Sequence, residues 1–193
     1  VTPDVYYEKA GIWAEFGKIV CISVGYFFLK GGKRQFRMRS FVGEEKDILE
    51  QFSYLIERFF SGKEHFLAAH NGKEFDFPYI ARRMLIHQLP FPNILQFFGK
   101  KPWEMSFLDT LDLWKFGDYK HYTSLNLLAY ILGIPSPKED LDGSQVMHTY
   151  YQEKDIARIA TYCQRDTLTV AQVFLRMRGE PLLQEEEIEI LQP

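Results

Sequence analysis

The sequence predicts an α/β protein in which helices cover a mixed β-sheet. One observation is a set of strand-like apolar runs, at 19–29, 35–42 and 66–69. The other is a set of helical patterns, at 44–60, 77–87, 124–132 and 155–177. Strands followed by interleaved helices are typical of helices layered on a sheet.

Composition limits the classes of protein. The chain has 193 residues, 46% of them hydrophobic, which suffices for one well-buried domain. A net charge of −3 argues against coating long polynucleotides, but not against an enzyme that grips a few nucleotides. Cys21 and Cys163 lie in apolar contexts, which indicates reduced core thiols. Without a signal peptide or a membrane-spanning run, we expect a cytoplasmic protein with no membrane partner.

The first strands form a predicted hairpin. Ile19–Leu29 is a long apolar run, Gly31 and Gly32 predict a turn, and Gln35–Val42 alternates apolar and basic residues. The basic residues of this hairpin are Lys33, Arg34, Arg37 and Arg39. They either follow a nucleic-acid backbone or form the solvated face of the hairpin.

The run Phe66–Ala69 is wholly apolar, as expected of a short strand inside a sheet covered on both faces. The segment Phe107–Leu113 fits a strand or the start of a helix, and the pattern does not decide between them. Residues 135–143 predict a polar loop.

The helices are marked by apolar spacing and by their ends. Glu44–Phe60 is amphipathic, Phe77–His87 tolerates Pro78 in its first turn, and Ser124–Leu132 is closed by Gly133. The last helix runs from 155 to 177. After it we expect an acidic tail over 181–193, mobile or docked on a partner and separate from a domain over 1–180.

Asp166 is a carboxylate on the apolar side of the last helix. Its helical position is close to the middle of the apolar face, and Tyr162 lies one turn earlier on the same side. A carboxylate in an apolar stripe costs several kcal/mol unless a partner or a metal ion holds it. Asp166 is therefore either paired from below or faces a site.

Asp76 is a second carboxylate in a suggestive place. A strand ends near His70, a polar loop follows, and Asp76 begins a helix; ligands of open α/β sheets gather at such strand ends. One interpretation is an ordinary N-cap. The other is that Asp76 shares a divalent ion with Asp166, and carboxylate ligands favour Mg²⁺ or Mn²⁺ over zinc. In that case the two carboxylates converge.

Two motifs resemble a known family. Asn71, with Phe75 and Asp76 after three residues, and Tyr162, with Asp166 after three residues, resemble the second and third motifs of the DEDD 3′–5′ exonucleases. The tyrosine type fits, as in the proofreading domain of family-B DNA polymerases. More closely, residues 11 to about 177 resemble bacterial stand-alone predicted exonucleases related to that domain.

The resemblance implies a ribonuclease H-like mixed sheet and two-metal phosphodiester hydrolysis with Mg²⁺ or Mn²⁺. Asp76 and Asp166 would be two of four metal ligands, and Tyr162 would orient the attacking water. Asn71 and Phe75 would line the pocket for the terminal nucleotide. The implied substrate is the 3′ end of single-stranded DNA, with RNA as an alternative.

Ser124 is a further candidate for substrate binding. It precedes a predicted helix, whose first amides suit a phosphate. A simple helix cap is the alternative.

The family's first motif, Asp-x-Glu on a central strand, occurs nowhere in the 193 residues. We expect this strand upstream of Val1. The alternative is an inactive relative that serves as a non-catalytic nucleic-acid-binding or interaction module.

The remaining acidic and histidine side chains carry no predicted role. Solvated or turn positions are expected for Asp109, Asp112, Asp140 and Asp142. His65, His87 and His148 have no partners at metal-ligand spacing and are interpreted as ordinary residues.

Overall fold

The structure, a computed structural model, describes residues 10–118, 120–135 and 141–191. Its strands are β1 (Cys21–Lys30), β2 (Lys33–Val42), β3 (Leu67–Ala69), β4 (Phe107–Asp109) and β5 (Ile188–Leu191). Its α-helices are α1 (Glu45–Phe59), α2 (Asp76–Ile86), α3 (Thr110–Lys115), α4 (Leu125–Ile131), α5 (Val146–His148) and α6 (Ile156–Met177). None of these helices is long and apolar enough to cross a membrane.

The chain divides into two compact units. Among the described residues, the first unit comprises those within 10–20 and 43–109, and the second those within 21–42 and 110–191. The first holds a parallel pair, β3 with β4, and the second holds a mixed sheet in the order β1-β2-β5. The predicted α/β class, with a mixed sheet and flanking helices as in ribonuclease H-like exonucleases, is confirmed.

The β1–β2 hairpin of the second unit forms as predicted. Cys21 lies opposite Val42, and the register runs without a break to Lys30 and Lys33. Gly31 and Gly32 close the turn at φ +60° and +76°, a backbone conformation that disfavours side chains with a Cβ.

Helix α6 packs on this sheet and organises the second unit. Ala171 and Leu175 of α6 form an apolar cluster with Phe36, Met38 and Leu183. On another side of the same helix, Val173 packs with residues of α4 and its C-terminal end, namely Leu128, Ala129 and Ile134. Asp155 caps the start of α6 by accepting the N–H of Arg158 at 2.9 Å, and Gly179 at φ +69° follows its end.

The acidic segment, expected to be mobile or docked on a partner, instead pairs with the sheet of its own unit over Ile188–Leu191. Strand β5 pairs in parallel with β2, with Ile188 opposite Phe36. The Arg37 Nη2 atom lies 2.8 Å from Glu189 Oε2, and Arg34 Nη2 lies 3.4 Å from Glu187 Oε1. The acidic segment therefore neutralises part of the basic hairpin. The predicted boundary between a domain over 1–180 and the following segment stays a prediction.

In the first unit, β3 differs from its prediction. Leu67 and Ala69 are only half-buried and Ala68 is exposed, so this strand is not covered on both faces. Its one partner among the described residues is β4, with Ala69 opposite Asp109. The undecided segment 107–113 holds a strand and then a helix, β4 followed directly by α3. The expected additional first strand stays a prediction.

A buried ion pair ties the first unit together. Arg83 of α2 donates from Nε to Glu45 Oε1 at 2.8 Å and from Nη1 to the carbonyl oxygen of Ala14 at 2.8 Å. The Glu45 carboxylate also accepts the N–H of Ile19 and lies 2.7 Å from His87 Nε2. Burial alone would raise the Glu45 pKa, but the bonds from Arg83, Ile19 and His87 outweigh it and hold this pKa below its ordinary value. His87 is thus a partner of this carboxylate, which sequence spacing did not indicate.

Replacing Glu45→Gln should lower the free energy of unfolding at pH 7 by about 3–5 kcal/mol, because Arg83 would keep a buried charge without its partner. The folded pKa of Glu45 is depressed, so its contribution is present above the unfolded pKa, about 4.3, and is lost as the pH falls through the folded value. The difference between variant and wild type should therefore shrink in acid. Urea unfolding at several pH values measures it.

The matched control is Glu50→Ala, which removes an exposed pair with Lys46 at 3.9 Å and should cost less than about 0.5 kcal/mol. Equal losses in the two variants would show that the Glu45 network does not stabilise the unit.

Candidate functional site

The carboxylate of Asp109 organises the turn that follows β3. Asp109 is the last residue of β4 and is 3% exposed. Its Oδ1 atom accepts the backbone N–H of Asn71 at 2.8 Å, and its Oδ2 atom accepts that of Lys73 at 3.0 Å. Because β3 and β4 are parallel neighbours, the end of one strand thus fixes the turn that leaves the other.

This turn has little freedom. Asn71 has φ +62°, a left-handed conformation that asparagine adopts more readily than most residues. At Gly72 an added Cβ would clash with the Ala69 side chain, so this position requires glycine. The carbonyl oxygens of Asn71 and Gly72 then accept the N–H groups of Phe75 and Phe77 at 3.1 and 2.9 Å. The turn therefore leads directly into α2.

Asp76 is the first residue of α2, and the prediction that it is the N-cap is wrong. The cap position belongs to Phe75, whose side chain makes no capping bond. The Asp76 carboxylate is hydrogen-bonded to its own backbone N–H instead. Its side chain stays accessible at the end of the helix.

The charge of Asp76 is held in an unfavourable setting. Its pKa is raised to about 6, first because surrounding protein removes hydration from the carboxylate, and also because Asp109 is a nearby negative charge. The bond to its own N–H opposes this shift. Asp76 is nonetheless exposed to solvent at the start of the helix.

Phe75 lies beside Asp76 and is 45% exposed. Its ring centroid is 5.6 Å from that of Tyr79, whose hydroxyl donates to the carbonyl oxygen of Gly11 at 2.9 Å. The Phe75 ring therefore packs against Tyr79 on one side, while much of its surface is exposed to solvent. The half-buried Asn71 and the exposed Phe75 both belong to the Asp76 turn. That they line a pocket for the terminal nucleotide stays a prediction.

The second unit carries Tyr162 and Asp166, both half-buried on α6. Two polar contacts fix the rotation of this helix: Thr167 Oγ1 donates to the carbonyl oxygen of Ser23 at 3.3 Å, and Gln164 Nε2 donates to Ser40 Oγ at 2.9 Å. The Tyr162 hydroxyl faces Gly143, where an added Cβ would lie 3.7 Å away. The side chains of Tyr162 and Asp166 therefore have set directions within their unit.

The predicted site residues are divided between the units. Asn71, Phe75 and Asp76 lie in the first, and Ser124, Tyr162 and Asp166 in the second. Convergence of Asp76 and Asp166 stays a prediction. Across the described ranges, no three His, Cys, Asp or Glu side chains gather closely enough to hold a metal ion.

Ser124 acts as a helix cap. Its Oγ accepts the N–H of Leu127 at 3.3 Å, at the start of the seven-residue helix α4. The cap prediction is confirmed, and a contact with substrate stays a prediction.

Sequence reasoning missed Asp109, which was expected to be solvated and is instead buried and doubly hydrogen-bonded. The available signal was an acidic residue directly after the apolar pair Phe107-Leu108 at a possible strand end. Asp112 is partly exposed beside Lys115, and Asp142 accepts the N–H of Ser144 in a turn, both as predicted. Asp140 lies outside the described residues.

Replacing Asp109→Asn should destabilise the protein by about 1–3 kcal/mol, because an amide accepts only one of the two N–H groups and leaves the other unsatisfied. Hydrogen exchange at Asn71 and Lys73 should accelerate. The Asp76 pKa should fall below about 6, since a neighbouring negative charge is lost. Unfolding, exchange and NMR titration of the Asp76 carboxyl group measure these three effects.

Asp118→Asn is the matched control, since Asp118 is exposed and accepts the N–H of Lys120 at 3.1 Å. It should leave stability unchanged within about 0.5 kcal/mol. Unaltered exchange at Asn71 in the Asp109→Asn variant would contradict the role given to Asp109.

Comparison with known proteins places the chain. No curated protein matches it. A family model described as a predicted 3′-5′ exonuclease related to the exonuclease domain of PolB matches residues 12–189. The match spans both units, and so includes the Asp109-held turn and helix α6 with Tyr162 and Asp166. The chain therefore belongs to this family of predicted 3′–5′ exonucleases.

Proposed function

We propose that this chain is a divalent-metal-dependent 3′–5′ exonuclease that releases nucleoside monophosphates from the 3′ end of single-stranded DNA. The observation that carries the proposal is the placement of Asp76. The accessible Asp76 carboxylate is held at a strand-end turn, next to the buried carboxylate of Asp109. In this setting the ionised form of Asp76 is disfavoured. A fold that maintains such a charge suits a site that receives a cation.

The donor set fits a hard metal ion. Asp76 offers carboxylate oxygens, which Mg²⁺ and Mn²⁺ prefer, and a cation there would offset both its poor hydration and the charge of Asp109. Asp166 is the second ligand in this proposal. Bound metal would activate a water molecule and neutralise charge on the scissile phosphate.

Asp109 positions this site. Each of its carboxylate oxygens already accepts a backbone N–H, so its negative charge stabilises the turn that contains Asn71 and Lys73. Through that turn it sets where α2 begins and hence where the Asp76 carboxylate lies. Asp109 acts through Asp76 and is not itself a proposed ligand.

The substrate contacts follow from the same turn. The exposed ring of Phe75 offers a stacking surface for the terminal base, and stacking tolerates any base sequence. Asn71, on the same turn, lines the pocket for the terminal nucleotide in this proposal. From the second unit, the Tyr162 hydroxyl orients the attacking water. RNA is the alternative substrate.

A second candidate function is a non-catalytic nucleic-acid-binding or interaction module on the same fold. The observation that favours it is the lack of an Asp-x-Glu motif in the sequence. Such a module would bind a strand without releasing nucleotides.

Replacing Tyr162→Phe should lower the rate of nucleotide release about 10- to 1000-fold, because only the water-orienting hydroxyl is lost. Metal binding and the melting temperature should be retained, since the ring still packs on α6. Replacing Asp166→Asn should abolish both metal affinity and release, since it removes a ligand charge. Release of mononucleotides from a 3′-labelled single strand in Mg²⁺ or Mn²⁺ measures activity, and calorimetry measures metal binding.

Tyr130→Phe is the control, because Tyr130 is 82% exposed on α4 of the same unit; it should cleave at the wild-type rate. If Tyr162→Phe also cleaves at that rate while Asp166→Asn is inactive, Tyr162 is a packing residue. If the wild-type protein binds the strand and metal but releases nothing, the non-catalytic module is correct.

A further inference from the structure

The segment Phe97–Trp103, between α2 and β4 of the first unit, exposes aromatic rings beside lysines. Phe98 and Trp103 are each 77% exposed. Lys100 and Lys101 between them are also exposed. Aromatic side chains of this size are normally buried, so two exposed rings on one short segment indicate a binding surface.

The segment is anchored at its base. The ring of Phe97 lies 5.6 Å from the ring of Phe107 in β4, and Leu95 is fully buried. Asn93 donates its backbone N–H and its Nδ2 to the carboxylate of Glu57 at 3.0 and 2.8 Å. The exposed rings therefore extend from a supported backbone, which lowers the entropy lost on binding.

The charges around these rings favour an anionic ligand. The Lys101 ammonium lies 5.3 Å from the centre of the Trp103 ring. The one nearby acid of the turn, Glu104, accepts the backbone N–H of Lys101 at 2.8 Å and so is engaged in the turn. Flat rings interleaved with cations match single-stranded nucleic acid, whose bases stack and whose phosphates pair with lysine.

The position of this segment relates it to the Asp109 turn. Trp103 precedes Asp109 by six positions, so their Cα atoms lie within about 22 Å of each other. We propose that Phe98, Trp103, Lys100 and Lys101 bind the substrate strand a few nucleotides to the 5′ side of its reacting 3′ end. This inference rests on the proposed exonuclease function and adds a distal binding site to it.

The test compares oligonucleotides of different length. Combining Phe98→Ala with Trp103→Ala should weaken the binding of a fluorescent ten-nucleotide thymidine strand about 5- to 100-fold, measured in EDTA by anisotropy. Binding of a dinucleotide, which is too short to reach the segment, should be unchanged. With Mg²⁺ or Mn²⁺ present, KM for the ten-mer should rise by a similar factor while kcat stays constant. The single variant Trp103→Phe, which keeps an aromatic ring at this position, should retain most of the wild-type affinity.

Phe59→Ala is the matched control, since Phe59 is 60% exposed on α1 of the same unit; it should bind as wild type does. Equal losses for the long and short strands, or no loss for either, would overturn the distal site. If the double variant binds the strand as wild type does but loses a complex with another protein, the segment binds a protein partner, and the distal site is overturned too. If the double variant is neutral while Tyr162→Phe is impaired, the distal site fails and the exonuclease function stands.

The second unit holds a thiol pair that the proposed reaction does not use. The side chains of Cys21 on β1 and Cys163 on α6 are hydrogen-bonded to each other, and both are half-buried. The packing explains this: Thr167 of α6 contacts Ser23 of β1. Cys163 lies four residues before Thr167 on the helix, and Cys21 lies two residues before Ser23 on the strand. Both steps cover roughly 6 Å, so Cys163 lies above Cys21.

We propose that Cys21 and Cys163 are a site of reversible disulfide formation. One thiolate attacks a sulfur of a small disulfide such as oxidised glutathione and releases one small thiol. The other thiolate then attacks the resulting mixed disulfide and releases the second. Two electrons and two protons pass from the cysteines to the small disulfide, which leaves as two thiols. The hydrogen bond with Cys163 holds the pKa of Cys21 below its ordinary value, and the thiolate is the attacking form of a cysteine.

Mass spectrometry after incubation with oxidised glutathione tests this site. The wild-type chain should lose the mass of two hydrogen atoms and show a peptide that links positions 21 and 163. Cys21→Ser and Cys163→Ser should each carry a glutathione adduct on the remaining thiol, and dithiothreitol should reverse both products. Stable adducts on the wild-type chain, or disulfides between chains, would overturn the pairing.

Discussion

A single buried carboxylate sets the geometry on which the candidate site depends. Asp109 ends β4 and is almost fully buried, a costly position for a charge unless hydrogen bonds satisfy it. The two backbone N–H groups of the neighbouring turn supply those bonds. They hold Asn71 in its left-handed conformation, place the start of α2, and leave Asp76 accessible beside a like charge. The stability of the turn and the unfavourable charge of Asp76 therefore have one physical origin.

In the second unit, two kinds of contact orient the long helix α6 on the sheet. Apolar packing of Ala171 and Leu175 against β2 holds α6 in place but allows rotation. Polar contacts from Gln164 and Thr167 to Ser40 and Ser23 remove that freedom. The acidic β5 completes the same sheet by pairing with the basic β2, and Arg34 and Arg37 of β2 form ion pairs with Glu187 and Glu189.

Local patterns predicted most of the elements because their causes are local. Apolar spacing, the Asp155 cap and Gly179 place α6 within a residue or two of its predicted ends, and Gly31-Gly32 places the hairpin turn. The same patterns failed where a partner distant in sequence decides the outcome. Phe66–Ala69 is apolar enough for a covered strand, yet β3 is partly exposed, because coverage depends on which strands and helices pack beside it.

The sequence by itself determined the α/β class, the order of the main helices and of strands β1 to β3, and the motifs that hold Asp76, Tyr162 and Asp166, since each depends on spacing along one strand or helix. Tertiary structure alone decided that Asp109 is a buried anchor, that His87 and Arg83 share Glu45, and that β5 joins β2. These contacts link residues 36 to 153 positions apart. Their energies depend on burial and on the geometry of both partners, which no local window of sequence contains.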